Sequence, residues 1–271
     1  MAAKARKASP KKRPASGRKQ VRHSRFGISF FSLSAGAVMA LLAFAALFSY
    51  FILPLITRPT REPEYFKNYN IRGIDVSHYQ RIIDWEALRN ARLNGFPIRF
   101  VIIKASEGSD HTDRRFRDNF VKARRYGFVR GAYHFFNPSS SPTLQAKHFF
   151  RQVQLESGDL PPILDVEERG SKTLEEFQED VLVWLDYAEK KSGATPILYA
   201  SYSFRMKFLK DPRFDAYPFW VAHYNMRKLR YRGEWVMWQY TEDGRIDGIE
   251  DDVDLNLFNG EFADLQRLLI P

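Results

Sequence analysis

The sequence predicts an α/β domain of seven or eight parallel strands, preceded by one transmembrane helix. Three observations predict it. Strand and helix patterns alternate at a spacing of roughly 25–35 residues, the signature of βαβ units. Acids and aromatics recur where successive strands end. Ahead of all this runs a stretch of 32 residues without a charge, from Phe26 to Thr57. Strands in this number suit either a doubly wound sheet or a (β/α) barrel. Nothing resembles a dinucleotide fingerprint or a phosphate loop, which weakens the nucleotide-binding version. In a barrel the strand ends converge on one face and build the site there.

The N-terminal part is organised by charge. Residues 1–25 hold ten Lys or Arg and no acid, and the rest of the chain carries 32 basic and 32 acidic residues, so the net charge of +10 belongs to this tail. Its composition predicts disorder and contact with anionic lipid. Residues 26–57 are long enough to span a bilayer. Dense positive charge before the span and scattered charge after it orient the N-terminus to the cytoplasm, in the inner (cytoplasmic) membrane, and place the remainder in the periplasm or outside the cell. A cleaved signal peptide is the alternative, with Ala43-Phe44-Ala45 as a small-x-small site; the length of the apolar run and of the basic region argues against it. A span directly behind the basic tail favours a topogenic role over nucleic-acid binding. There is no cysteine, which excludes disulfides and thiolate chemistry. Nothing in the sequence specifies an oligomeric state.

Residues 58–70 form the expected linker, and residues 71–271 the expected folded domain. Its first strand, Ile71 to Ser77, contains Asp75. A helix follows from Asp84, an N-cap residue, to Gly95. Phe100–Lys104 is a second strand, with Glu107 shortly behind it. A helix over 113–126 precedes the strand 131–136, which carries Tyr133 and His134. Ser141-Pro142 opens another helix, with a polar cap and proline at its first position. Thr173-Leu174-Glu175-Glu176 is a capping box that starts a helix running to Gly193. Pro196–Ala200 is a strand with Tyr199, followed by a short helical piece over 204–209 and a strand over 219–222 with Trp220. The helical pattern then stops, and residues 235–240 and 252–255 form two closing strands with only loop between them.

The organising stretch is Pro161-Pro162-Ile163-Leu164-Asp165-Val166-Glu167, a buried strand ending in two acids. Side chains alternate along a strand, so Asp165 and Glu167 point the same way, with Cα atoms roughly 6.6 Å apart. Cleavage of a glycosidic bond needs such a pair, one acid protonated and one ionised. A strand-end pair that merely caps or salt-bridges its neighbours would look alike. The other strand ends supply Asp75, Lys104 with Glu107, Tyr133 with His134, Tyr199, Trp220, Trp238 with Gln239, and Asp254. Each alone has a structural reading: Tyr133 and Tyr199 as core phenols, Trp220 and Trp238 as packing, Asp75 as a turn residue. Their coincidence at one topological position points to a sugar-binding cleft. The six histidines show no ligand spacing, and His78 and His134 read as hydrogen-bonding partners of neighbouring acids. Neither Gly-x-Ser-x-Gly nor His-Glu-x-x-His occurs. No metal or cofactor is expected.

Six short motifs, in order, carry a family resemblance: Asp75-Val76-Ser77-His78-Tyr79-Gln80, Ile103-Lys104-Ala105-Ser106-Glu107-Gly108, Gly131-Ala132-Tyr133-His134-Phe135, Asp165-Val166-Glu167, Trp238-Gln239-Tyr240 and Val253-Asp254. Together, over residues 71–260, they resemble glycoside hydrolase family 25, the Chalaropsis-type lysozymes. The resemblance implies an irregular (β/α) barrel with about eight strands and fewer helices. It implies peptidoglycan glycan strands as substrate, cut between N-acetylmuramic acid and N-acetylglucosamine. By matching position Glu167 is the proton donor and Asp165 its partner. Asp75 and Asp254 are further cleft acids, and Tyr133, Tyr199 and Trp220 line the site. The basic tail and membrane span depart from many members of that family, and no wall-binding repeat is visible. A catalytically dead glycan-binding protein and a hydrolase of chitin-like polymers are the alternatives.

Overall fold

The computed structural model describes residues 42–44 and 64–271. The chain divides into two units, 1–60 and 61–271. In the first, residues 42–44 are helical and exposed; the expected tail and the rest of the expected span lie outside the described residues. Among the described residues no helix is long and apolar enough to cross a membrane.

In the second unit, eight strands close into a mixed barrel. They are β1 (Arg72–Val76), β3 (Phe96–Glu107), β5 (Val129–Phe135), β6 (Ile163–Asp165), β7 (Ile197–Ser201), β8 (Phe219–Ala222), β9 (Met237–Ile246) and β10 (Ile249–Phe258). Closure comes from β1, which pairs with β3 in parallel and with β10 antiparallel. β10 runs against both its neighbours, and the other adjacent pairs are parallel. Two-residue strands β2 (Arg92–Leu93) and β4 (His111–Thr112) add to the ends of β3. Around the barrel stand α1 (Trp85–Asn90), α2 (Phe116–Arg125), α3 (Pro142–Gln152), α4 (Leu174–Ser192), α5 (Tyr202–Phe208) and α6 (Phe262–Leu268). Between β8 and β10 no α-helix intervenes, as the loss of helical pattern there predicts.

The helices start where the sequence marks them. Asp84 accepts the amides of Glu86 and Ala87, Ser141 caps α3 ahead of Pro142, and Thr173 with Glu176 closes the capping box of α4. Gly193, at φ 72°, ends α4 in the left-handed conformation.

Four expectations need correction. The helix expected to reach Gly95 stops at Asn90, because Asn94 (φ 51°) and Gly95 (φ 89°) both take positive φ and turn a short hairpin from β2 into β3. β3 is correspondingly longer than expected. The two closing strands are one long hairpin, β9–β10, turned at Asp247-Gly248; its tip rests on the start of α1, with the Asp84 amide donating to the Gly248 carbonyl at 2.9 Å. Residues 64–68, expected as linker, form a 3₁₀ turn. Its Phe66 is buried against Trp238 and Tyr240, and the Phe66 carbonyl accepts from the buried Arg72 guanidinium.

Strand alternation sorts the apolar residues into two cores. One, with Val101, Ile103, Leu198, Val221, Phe149 and Trp184, fills the space between barrel and helices. The other fills the lower barrel with Phe100, Ile102, Ile163, Ile197, Met237 and Phe258, and Leu265 of α6 packs into it. Phe100 needs Gly73 opposite: a Cβ there would lie 2.2 Å from its ring. Gly73→Ala is therefore expected to destabilise the domain by about 1–3 kcal/mol through overpacking, measured by denaturant unfolding. Wild-type stability would show that the ring has room to move aside.

Candidate active site

At the C-terminal ends of the parallel strands the inward positions turn from apolar to polar. Asp75, Lys104, Tyr133, Asp165, Tyr199, Trp220, Gln239 and Asp254, with Glu167 just beyond β6, line one cleft of about 240 Å³. Ladder register aligns them: Lys104 opposes Tyr133, Asp165 opposes Tyr199, Tyr199 opposes Trp220, and Asp75 opposes Asp254. Tyr79, Tyr224 and Glu242 complete the wall.

A buried hydrogen-bond chain fixes the floor. Asp75 Oδ2 accepts from Gln239 Nε2 at 2.8 Å and from Asn256 Nδ2 at 2.7 Å. The amide oxygens face away: Gln239 Oε1 accepts the hydroxyls of Tyr199 and Tyr224, each at 2.7 Å, and Asn256 Oδ1 accepts Trp220 Nε1 at 2.8 Å. Phenol and indole donors thus hold both amides with their N–H groups on the acid. Trp220 is buried edge-on to Tyr199, so it builds the floor and holds Asn256.

The four acids occupy different electrostatic settings. Burial pushes Asp75 up to about 6, and the two amide bonds hold it from rising further. Asp254 is pushed up to about 9 by burial and by Asp75 opposite it, with Glu242 and Glu167 adding to the effect. Asp254 also hydrogen-bonds to Asp75, so the pair holds one proton, on Asp254, at neutral pH. Asp165 is raised well above the carboxylate range by burial and by Glu167, and Lys104 opposes the shift. Its Oδ1 is buried with no hydrogen-bond partner among the described residues. Glu167 stands open to the cleft. Its carboxyl is still raised by the surrounding protein, and the Tyr199 hydroxyl and Lys104 pull it back.

Lys104 is the cation of the cleft wall. Its ammonium sits 2.7 Å from Glu107 and 4.7 Å from the centre of the Phe135 ring. Glu107 stands behind Lys104 and off the cleft wall.

Besides Glu107, expected to bind substrate, two further expectations fail here. Trp238 is fully buried in the outer core, donating its indole N–H to the His223 carbonyl; alternation on β9 that turns Gln239 inward turns Trp238 outward. His78 bonds an acid as expected, Asp113 at 2.8 Å. His134 does not: it is buried between Ser106 and Gln145, stacked on Trp184, and burial lowers it to about 3. Asn256, Tyr224, Glu242 and Tyr79 were absent from the expected site, and Gln239, expected beside Trp238 at its strand end, takes the inward place. A signal existed for Asn256, which lies two residues from Asp254 on the same strand face.

A mixed barrel with acids gathered at its mouth is the architecture of a glycoside hydrolase, and the comparisons agree. Residues 74–249 match the model of glycosyl hydrolases family 25, and the chain belongs to that family. It is similar to the protein YegX of Escherichia coli K12, named as uncharacterized, at 42% identity over 203 residues and 74% of each chain. It is similar to lysozyme M1 of Streptomyces globisporus at 34% identity, over 73% of this chain and 71% of that one. Among solved structures, a bacterial lysozyme from Streptomyces coelicolor superposes with a TM-score of 0.67 at 32% identity, covering 73% of this chain and 96% of that one. A family 25 glycosyl hydrolase from Bacillus anthracis gives 0.68 at 31% identity, over 77% and 97%.

The shared proton of Asp75 and Asp254 gives stability a definite pH dependence. A carboxyl whose folded pKa is raised binds its proton more tightly folded than unfolded. Its contribution is fully present below the unfolded value, near 4, and is lost as pH rises through the folded one. For this pair the loss runs from about pH 4 to about pH 9. Asp254→Asn is expected to raise stability at pH 9 by on the order of 1–2 kcal/mol and to change it far less at pH 4. Urea unfolding at the two pH values checks this, and equal effects at both would place the proton elsewhere.

Proposed function

We propose that this chain is a peptidoglycan hydrolase, a lysozyme that cuts the β-1,4 bond between N-acetylmuramic acid and N-acetylglucosamine. The observation that carries this reading is the group of four carboxyls at the mouth of a family 25 barrel, each raised above its ordinary range and each in a different setting. Family membership and similarity to proteins named as lysozymes support the substrate.

The roles follow from those settings. Glu167, open to the cleft and raised by its surroundings, gives its proton to the glycosidic oxygen. Asp75, ionised under two amide donors, stabilises the positive charge that develops on the sugar ring. Asp254 keeps the proton of the pair, so that a single negative charge faces the ring. Asp165 offers its unpartnered oxygen to the acetamide of the bound sugar. Tyr133, Tyr199 and Trp220 shape the floor on which that sugar rests, and Lys104 limits the rise of both neighbouring acids.

We further propose that residues 26–57 anchor the enzyme in the cytoplasmic membrane, with the basic tail inside and the catalytic domain on the side where the polymer lies. The support is the charge pattern of the sequence. Modification of the catalytic domain by a membrane-impermeant reagent in intact cells tests the topology; protection equal to that of a cytoplasmic marker would refute it.

Purified peptidoglycan digested with the full chain should yield new reducing ends at muramic acid. Glu167→Gln is expected to lower the rate by about 10²–10⁴-fold while the protein still folds and unfolds cooperatively. Reducing ends at N-acetylglucosamine would change the bond assignment. Binding without products would make the chain a tethered glycan-binding protein.

A further inference from the structure

Beside the acids the cleft has an aromatic residue with no task in the chemistry above. Tyr79 lines the wall, and 71% of its surface is exposed, high for so large a ring in a concave site. The ring is nevertheless held. One face lies against the His78 imidazole, with centroids 4.2 Å apart and planes 31° from parallel. Asp113, itself buried, fixes His78 by accepting both its backbone amide at 2.9 Å and its Nδ1 at 2.8 Å.

The backbone under Tyr79 is equally constrained. Ser77 Oγ accepts the Tyr79 amide, and the Ser77 amide donates to Gln80 Oε1 at 2.8 Å. Gln80 Nε2 then reaches the Asp252 carbonyl at 2.8 Å, tying the turn to the β9–β10 hairpin. The next residue, Arg81, has φ 52° and ψ −108°, far from the left-handed well that non-glycine residues occupy. Its one ion pair, to Asp251 at 3.5 Å, is exposed and offers little return. Strain held by surrounding bonds is a device found at functional sites. Here it keeps a large aromatic face turned to water.

We infer that Tyr79 is a sugar-stacking platform, binding a pyranose ring of the glycan strand at a position flanking the bond that is cut. The C–H face of an equatorially substituted pyranose is apolar and flat, and the open face of Tyr79 is its complement. The other face is already covered by His78, so the ring offers one side only and needs no reordering on binding. The inference rests on the reading of the chain as a glycan hydrolase.

The test compares peptide-free glycan strands of two lengths, long strands and the shortest fragment the full chain cleaves. Tyr79→Ala is expected to lower the ratio of kcat/KM for long over short by about tenfold, and Tyr79→Trp to preserve it. Arg81→Gly relieves the strain, so it should raise the melting temperature while lowering the same ratio; a purely structural turn would not couple those two changes. An unaltered ratio in folded Tyr79→Ala overturns the platform. Should the wild type cleave no strand, the hydrolase reading falls by itself. Equilibrium binding of long strands to Glu167→Gln, with and without Tyr79→Ala, then decides: weaker binding upholds the platform, and equal binding or none removes it.

Discussion

The site depends on a single oxygen, Asp75 Oδ2, and the two amides that donate to it. A buried carboxylate is costly, and two hydrogen bonds from neutral donors offset part of that cost. Each amide could turn over and present its oxygen instead. Trp220 prevents this for Asn256, because an indole N–H can only donate, and the hydroxyls of Tyr199 and Tyr224 both donate to the Gln239 oxygen. The donors that surround Asp75 carry no charge at neutral pH. With Asp75 so provided for, Asp254 opposite it finds no comparable partners and keeps its proton.

The same network explains the barrel's departures from regularity. One reversed strand, β10, sets Asp254 and Asn256 beside Asp75, and β9 sets Gln239 directly against Asn256. The lower half of the barrel is conventional packing, with Gly73 making room for Phe100. Inside the barrel the packing is apolar below, around Phe100, Ile102 and Ile163, and polar above, around Asp75, Lys104 and Asp165.

Much of this was legible in the sequence. Alternating patterns gave the strand and helix order, caps at Asp84, Ser141 and Thr173 marked helix starts, and strand parity brought Asp165 and Glu167 to one side. Parity applied with equal rigour would have removed Trp238, since Gln239 next to it takes the inward place. The errors have separate causes. Asn94-Gly95 is a local hairpin signal that a helical reading of residues 84–95 overrode. The contacts of Asn256 and Gln239 with Asp75 span 181 and 164 residues, and no local pattern reports which distant strand becomes a neighbour. His134 looked like the partner of an acid because acids stand at the neighbouring strand ends; its actual partners, Ser106 and Gln145, are a hydroxyl and an amide from other elements.

That span has a consequence for biosynthesis. Asp75 lies on the first strand of the barrel, and the groups that set its charge lie on the last two. A ribosome must release nearly the whole domain before Asp75 gains its donors and Asp254 its neighbour. An incomplete chain carries Asp165 and Glu167 but lacks the hairpin that completes their surroundings. The four acids come into one cleft only with the final strand, which closes the barrel against the first.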